Sequence, residues 1–263
     1  TCSGGSSRSV PPAPARFANC GQTLTHVKIG RGHSAPTVVY RTFVSSIKSE
    51  EYEAIYSGFE AAISRYDCGQ YCAPHNGGEP VCCSTKNAIP VATVEEWKFL
   101  KSRTDLWHIY QPNTKAERKI KDELPHDCRV LECKGAAFCE RHNRTLSCRT
   151  FPFFPYITKG YEFVGLAYYW HFEDKCWVMS NLQVVEREFV REFVSTFELL
   201  FRKVPGELEV FRDHSASQRR AFSRWKRNIP LIGRDGGYFE VVPNTGETRP
   251  AKVEDFLKHG PYK

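Results

Sequence analysis

Apolar residues recur at Tyr52, Ile55, Tyr56, Phe59, Ile63 and Tyr66, a spacing that lays one face of an α-helix against a core. The pattern predicts a helix over residues 49–66, opened by Ser49, that delivers the chain to Cys68 and Cys72. A stronger stripe, Val185, Phe189, Phe193, Phe197, Leu200 and Phe201, alternates with Glu186, Glu188, Arg191 and Glu192 and predicts a helix over residues 184–202. Thr93 followed by Glu96, and Ser215 followed by Gln218, are capping-box pairs. The first predicts a short helix through Trp97 and Leu100. The second predicts the start of a basic helix carrying Phe222 and Trp225. The polar run 115–123 predicts one more helix.

Strand signals are shorter. Residues 23–29 and 37–44 read as extended pieces around a Gly-rich turn. Residues 162–172 and 176–179 flank Glu173-Asp174-Lys175 as a β-hairpin, and residues 238–242 with the Asn244-Thr245-Gly246 turn predict a terminal hairpin. Pro152 and Pro155 forbid a regular helix or a central strand over residues 149–155, so an extended turn with aromatic packing is expected. Residues 73–80 read as a Gly- and Pro-rich loop, and residues 128–148 as irregular chain.

The pattern gives an α+β class: a helix-rich single domain with irregular cysteine loops forming a metal site, plus β-hairpins. Residues 1–22, rich in Gly, Ser and Pro, are expected to be a flexible lead. The domain then covers residues 23–263, with a cysteine-cluster region at 68–155 and a basic helical part at 184–263. No internal repeat is evident. No apolar run reaches the length of a membrane span, and a cytoplasmic setting is expected.

Composition sharpens this in one respect. The chain has 263 residues, 41% of them hydrophobic, which excludes collagen-like and disordered classes and provides for a real core. Its 11 Cys stand beside a single Met, and eight of them (Cys68, Cys72, Cys82, Cys83, Cys128, Cys133, Cys139 and Cys148) fall within 81 residues. Cys2, Cys20 and Cys176 stand apart, and Cys176 reads as a buried apolar residue.

Thiolates are soft ligands that favour zinc or an iron–sulfur cluster over magnesium or calcium. Several held close together repel one another, and a cation offsets that repulsion. Four disulfides are the competing account, which a chain with an ample core does not need. Because one short peptide link points neighbouring side chains apart, only one of Cys82 and Cys83 is expected to ligate, with Cys83 preferred. His75 and His142, inside the cysteine loops, read as polar loop residues, and His171 as a packed histidine.

Specific signatures fail. The Cx3CxxC of radical S-adenosylmethionine enzymes breaks at His75, and neither a zinc-deaminase pattern, a Walker A loop nor a GxGxxG after a strand is present.

The order Cys68, Cys72, Cys82-Cys83, then Ile89-Pro90-Val91 with the capped Glu96-Trp97 helix, then Cys128, Cys139 and Cys148-Arg149-Thr150-Phe151-Pro152-Phe153 resembles the YkgJ-type cysteine-cluster family. That family is described as chelating zinc or iron. The resemblance covers about a third of the chain, residues 68–155. The Gly-rich insert 73–81 departs from the family's tighter spacing and leaves the role of Cys72 open. Cys133 is more than a four-thiolate site needs. One branch, the flagellin lysine N-methylases, implies an iron–sulfur cluster used with S-adenosylmethionine, but this chain lacks a recognisable S-adenosylmethionine loop.

The expectation is therefore a protein holding an iron–sulfur cluster, [4Fe-4S] in type, through four of Cys68, Cys72, Cys83, Cys133, Cys139 and Cys148. Arg149 is the expected charge partner of the thiolates. The role would be redox, or modification of an unidentified protein or peptide, with Tyr168-Tyr169-Trp170-His171 either lining a pocket or, as such runs more often do, filling the core. Structural zinc is the alternative. The net charge of +7, from 37 Lys and Arg against 30 Asp and Glu, adds a different class: nucleic-acid or protein binding through residues 219–227 (Arg219, Arg220, Arg224, Lys226, Arg227).

Overall fold

A computed structural model of the chain describes residues 15–16 and 47–263, apart from residue 123. The expected strands at 23–29 and 37–44, and Cys2 and Cys20, lie outside the described residues. Among the described residues seven α-helices run in order α1 (Tyr52–Ser57), α2 (Cys68–Cys72), α3 (Val94–Arg103), α4 (Lys115–Asp122), α5 (Leu146–Thr150), α6 (Arg187–Lys203) and α7 (Pro205–Trp225). Strands β1 (Ala15–Arg16) and β2 (Ala88–Ile89) pair in parallel. A three-stranded antiparallel sheet places β5 (Cys128–Cys133) between β3 (Val91–Thr93) and β4 (Trp107–Ile109). The larger sheet has the order β10-β9-β8-β7-β6 and is antiparallel throughout. Its strands are β6 (Phe153–Ile157), β7 (Phe163–Tyr168), β8 (Ile229–Gly233), β9 (Tyr238–Val241) and β10 (Thr248–Pro250).

The core of the larger half is aromatic. Phe189, Phe193 and Phe197 project from one face of α6 with ring centroids 5.9 and 4.6 Å apart, and Phe197 meets Phe211 of α7 edge-on at 5.3 Å. Each of these rings is buried, and burying a phenylalanine side chain contributes about 1.5–3 kcal/mol, to which tilted ring pairs add. Helix α7 is tied to the sheet by polar side chains as well. Ile157 N–H donates to Ser215 Oγ at 3.0 Å, and Gln218 Nε2 donates to the Tyr168 carbonyl at 3.1 Å. Gly165 lies in β7 with φ of 158°, and a Cβ there would collide with the Ile232 carbonyl oxygen of β8. Only glycine lets the two strands approach so closely.

Helices α3, α4 and α6 lie where the periodicity put them. The helix expected over residues 49–66 is a 3-10 turn followed by α1, and it ends at Ser57 with Gly58 as its cap. Phe59 and Ile63 keep their apolar role in non-helical chain, because residues 59–63 dock on α6. Ala61 N–H donates to Glu192 Oε2 at 2.6 Å, and Glu186 N–H donates to the Ile63 carbonyl. Ser215 does not open a helix. It sits inside α7, where its hydroxyl donates to the Phe211 carbonyl one turn back. Residues 162–172 and 176–179 do not pair as a hairpin: β7 pairs with β6 and β8, while 177–180 is a 3-10 turn. Residues 128–133, expected to be irregular, form the central strand of the smaller sheet. The prolines are where their chemistry requires, since β6 is an edge strand. Cys148, expected in irregular chain, and Arg149, expected in an extended turn, lie in α5, and residues 153–155 of that expected turn begin β6.

Candidate metal centre

The cysteines are set by short, individually capped pieces of chain. Asp67 caps α2 by accepting from Gly69 N–H at 3.1 Å, which places Cys68 and Cys72 four residues apart on one helix face. A 3-10 turn after Pro80 carries Cys82 and Cys83. Cys133 ends β5, and Cys139 follows the turn Ala136–Phe138. Cys148 rides on α5, whose N-cap Thr145 accepts from Cys148 N–H at 3.1 Å.

The α5 turn is fixed further from below. Glu96, buried on α3, accepts from Leu146 N–H at 2.7 Å and from the Tyr56 hydroxyl at 2.8 Å. Thr93 does cap α3, accepting from Glu96 N–H at 3.0 Å, but the Glu96 carboxyl is used on α5 and not on the cap. Burial pushes that carboxyl up to about 7, against the pull of the Leu146 N–H and Tyr56 hydrogen bonds. Its Oε2 is unpaired beside a cavity of about 20 Å³.

Eight cysteines among the described residues are free: Cys68, Cys72, Cys82, Cys83, Cys133, Cys139, Cys148 and Cys176. Cys128 is disulfide-bonded and begins β5, roughly 16 Å of strand away from Cys133. It stands outside the thiol group. Cys176 is buried beneath it, as expected, with its thiol pushed up by burial and then by Cys68 and Cys72.

Cys82 and Cys83 do not point apart. Their sulfurs lie 3.9 Å from each other on the 3-10 turn that carries both. The contact favours proton sharing of one sense. Cys83 is drawn down to about 7 by the Cys82 thiol and by Arg144, while Cys82 is pushed up by that same contact and by burial. Burial also raises Cys68 to about 11 and Cys148 to about 12, with neighbouring thiols adding to both. As thiolates the seven would repel one another in a linked series: Cys68 with Cys72 and Cys82, Cys148 with Cys133 and Cys83, and Cys133 with Cys139.

The guanidinium among these sulfurs belongs to Arg144. Its Nε donates to Cys139 Sγ at 3.0 Å, and its charge also acts on Cys68, Cys82, Cys83 and Cys148. Arg149, expected in that role, is buried and spends its donors on backbone carbonyls of Tyr56, Phe59, His142 and Arg144, with its plane over the Tyr56 ring at 4.2 Å. It clamps α1 to the cysteine loops. The sequence offered no sign that would have separated Arg144 from Arg141 or Arg149.

Two cavities meet along the thiols. One, of about 320 Å³, is backed by Leu106 and Trp107 and reaches Cys133 and Cys148. The other is a groove of about 670 Å³ that reaches Cys68, Arg141 and Arg149. Cys82, Cys83, Cys139 and Arg144 line both. The donor chemistry, all sulfur with one cation, suits a thiophilic centre. Yet among the described residues no three His, Cys, Asp or Glu side chains converge tightly enough to hold a single ion. His75 and His142 are exposed loop residues. His171 is exposed too, and the packed histidine is His214, which burial lowers to about 3.

The basic stretch is largely engaged. Arg219 is buried and donates to the Tyr156 hydroxyl at 2.9 Å, and Arg227 pairs with Glu173 at 2.9 Å. Arg220, Arg224 and Lys226 remain exposed beside Trp225. Tyr168, Tyr169 and Trp170 are core residues and line no cavity at the thiols. Among the described residues no helix is long and apolar enough to cross a membrane. Set against known proteins, the chain matches no family model, no curated protein and no solved structure.

Proposed function

We propose that the thiol wall holds an iron–sulfur centre, with Cys68, Cys83, Cys139 and Cys148 as its ligands. The observation that carries this is the set of five free cysteines, Cys68, Cys82, Cys83, Cys139 and Cys148, brought by four pieces of chain about Arg144 and bordered by two cavities. A lone tetrahedral zinc ion needs its sulfurs about 3.8 Å apart, from its metal–sulfur distance of about 2.3 Å. Among the described residues no three His, Cys, Asp or Glu side chains are grouped to hold one such ion. The resemblance to YkgJ-type proteins, on the residues quoted above, supports the same reading.

Such a centre supplies one-electron redox chemistry at a potential tuned by hydrogen bonds to its sulfurs. Within this chain, Arg144 contributes the hydrogen bond and the positive charge at Cys139. Glu96 and Thr145 fix the turn that carries Cys148, and the Leu106–Trp107 wall keeps one side apolar. The reaction served is redox, or modification of a protein or peptide.

The test is anaerobic purification of the whole chain, with iron, zinc and sulfide analysis and visible absorption. Iron and inorganic sulfide in equal amounts with a broad visible band are expected. A colourless protein with one zinc per chain would overturn the iron reading and support structural zinc.

A further inference from the structure

Of the four arginines that line the groove of about 670 Å³, Arg65 donates to the Tyr66 hydroxyl and Arg149 to backbone carbonyls, while Arg141 and Arg144 meet no carboxylate among the described residues. Arg141 opens the 3-10 turn Arg141–Asn143, and Arg144 follows it directly. Three residues apart on one turn, both line this groove, and their charges act on each other. Arg144 uses its Nε on Cys139. Among the described residues, its terminal nitrogens and the whole Arg141 side chain have no hydrogen bond or ion pair.

The groove's own carboxylates are placed elsewhere: Asp67 caps α2, and Glu60 acts on Arg149. Arg149 is closed off by the four carbonyls it serves. Like charges on a convex surface are diluted by solvent, whereas two held in a concavity keep their field. Planar guanidinium forks match the oxygens of phosphate and carboxylate in pairs, and the groove is large enough for a small organic ligand.

We propose that Arg141 and Arg144 form an anion-binding subsite that seats the phosphate or carboxylate end of a ligand in this groove, beside the thiol wall. The subsite stands on the arginines and does not rest on the sulfur-bound centre.

Calorimetric titration of the full chain, as isolated and with its metal content measured, tests it. The probes are inorganic phosphate and, separately, succinate, at low ionic strength. At least one anion binds saturably at one per chain. Arg141→Gln weakens that binding at least about tenfold, the loss of one charged hydrogen-bond partner. Metal content is unchanged, and Lys101→Gln, on the exposed face of α3, binds as wild type. Tighter phosphate assigns a phosphate ester, and tighter succinate a carboxylate. The proposal is overturned if neither anion saturates, or if Arg141→Gln binds as wild type does. Retained anion binding in a protein devoid of metal would overturn the function proposed above and leave this subsite standing.

Discussion

The two halves of this molecule are held together by different means. Residues 153–241 carry four strands of the larger sheet, backed by α6 and α7 and filled with interlocking phenylalanines. Its buried cations are matched, Arg219 to a tyrosine hydroxyl and Arg227 to Glu173. Residues 68–148 hold the small three-stranded sheet with α3 and α4, but most of their cysteines sit on turns and helices of five residues, fixed by side chains bonded to backbone and facing two cavities. A region with a continuous apolar core is stable by its own packing. A region of short pieces around repelling groups gains cohesion when something outside the chain binds them.

The largest test of that contrast removes a thiol. Alanine at Cys68, Cys83, Cys139 or Cys148 should abolish stoichiometric metal, while Cys128→Ser retains it. Metal analysis of each purified variant decides, and full occupancy in all four alanine variants would sink the assignment. Next, Phe193→Ala should cost on the order of 3 to 5 kcal/mol in urea unfolding, the usual cost of an emptied aromatic site. What remains folded should still carry its metal, because the ring lies in the other half.

Glu96 joins the halves of the argument. Its folded-state carboxyl lies at about 7 against an ordinary 4.5, so the folded protein keeps a proton that the unfolded chain releases between those values. Stability should therefore fall as pH rises through this window and stay lower above it, by on the order of 3 kcal/mol. Glu96→Gln should flatten the slope, since an amide keeps both hydrogen bonds without ionising. Urea midpoints at pH 5 and pH 8 check this, and equal slopes in the two proteins would refute it. The smallest effect is Thr93→Ala, about 2 kcal/mol, because it removes the helix cap and the 2.7 Å partner of the buried Tyr52 hydroxyl, with no change in metal content.

Sequence pattern was a good guide wherever one face of an element stayed against the core. The Phe189, Phe193, Phe197 stripe made α6 legible, and alternation with turn residues made β9 and β10 legible. It misled where tertiary contacts took over a local motif. Ser215 and Gln218 have the spacing of a helix start, yet both are used inside α7 to bind the sheet. Phe59 and Ile63 continue a helical period past Gly58 only because they pack on α6 by another path. At the site, the type of chemistry was legible from the crowding of cysteines between residues 68 and 148. The cation was not, because whether Arg141, Arg144 or Arg149 meets a sulfur depends on how two consecutive turns close, and side-chain type carries no information about that.

One consequence follows from the wall shared by the two cavities. A group seated among Cys82, Cys83 and Cys139 would be a partition with an opening on each side, so that occupancy of one opening need not obstruct the other. A small apolar compound lodged against Trp107 would then bind alongside a ligand in the groove without competing with it.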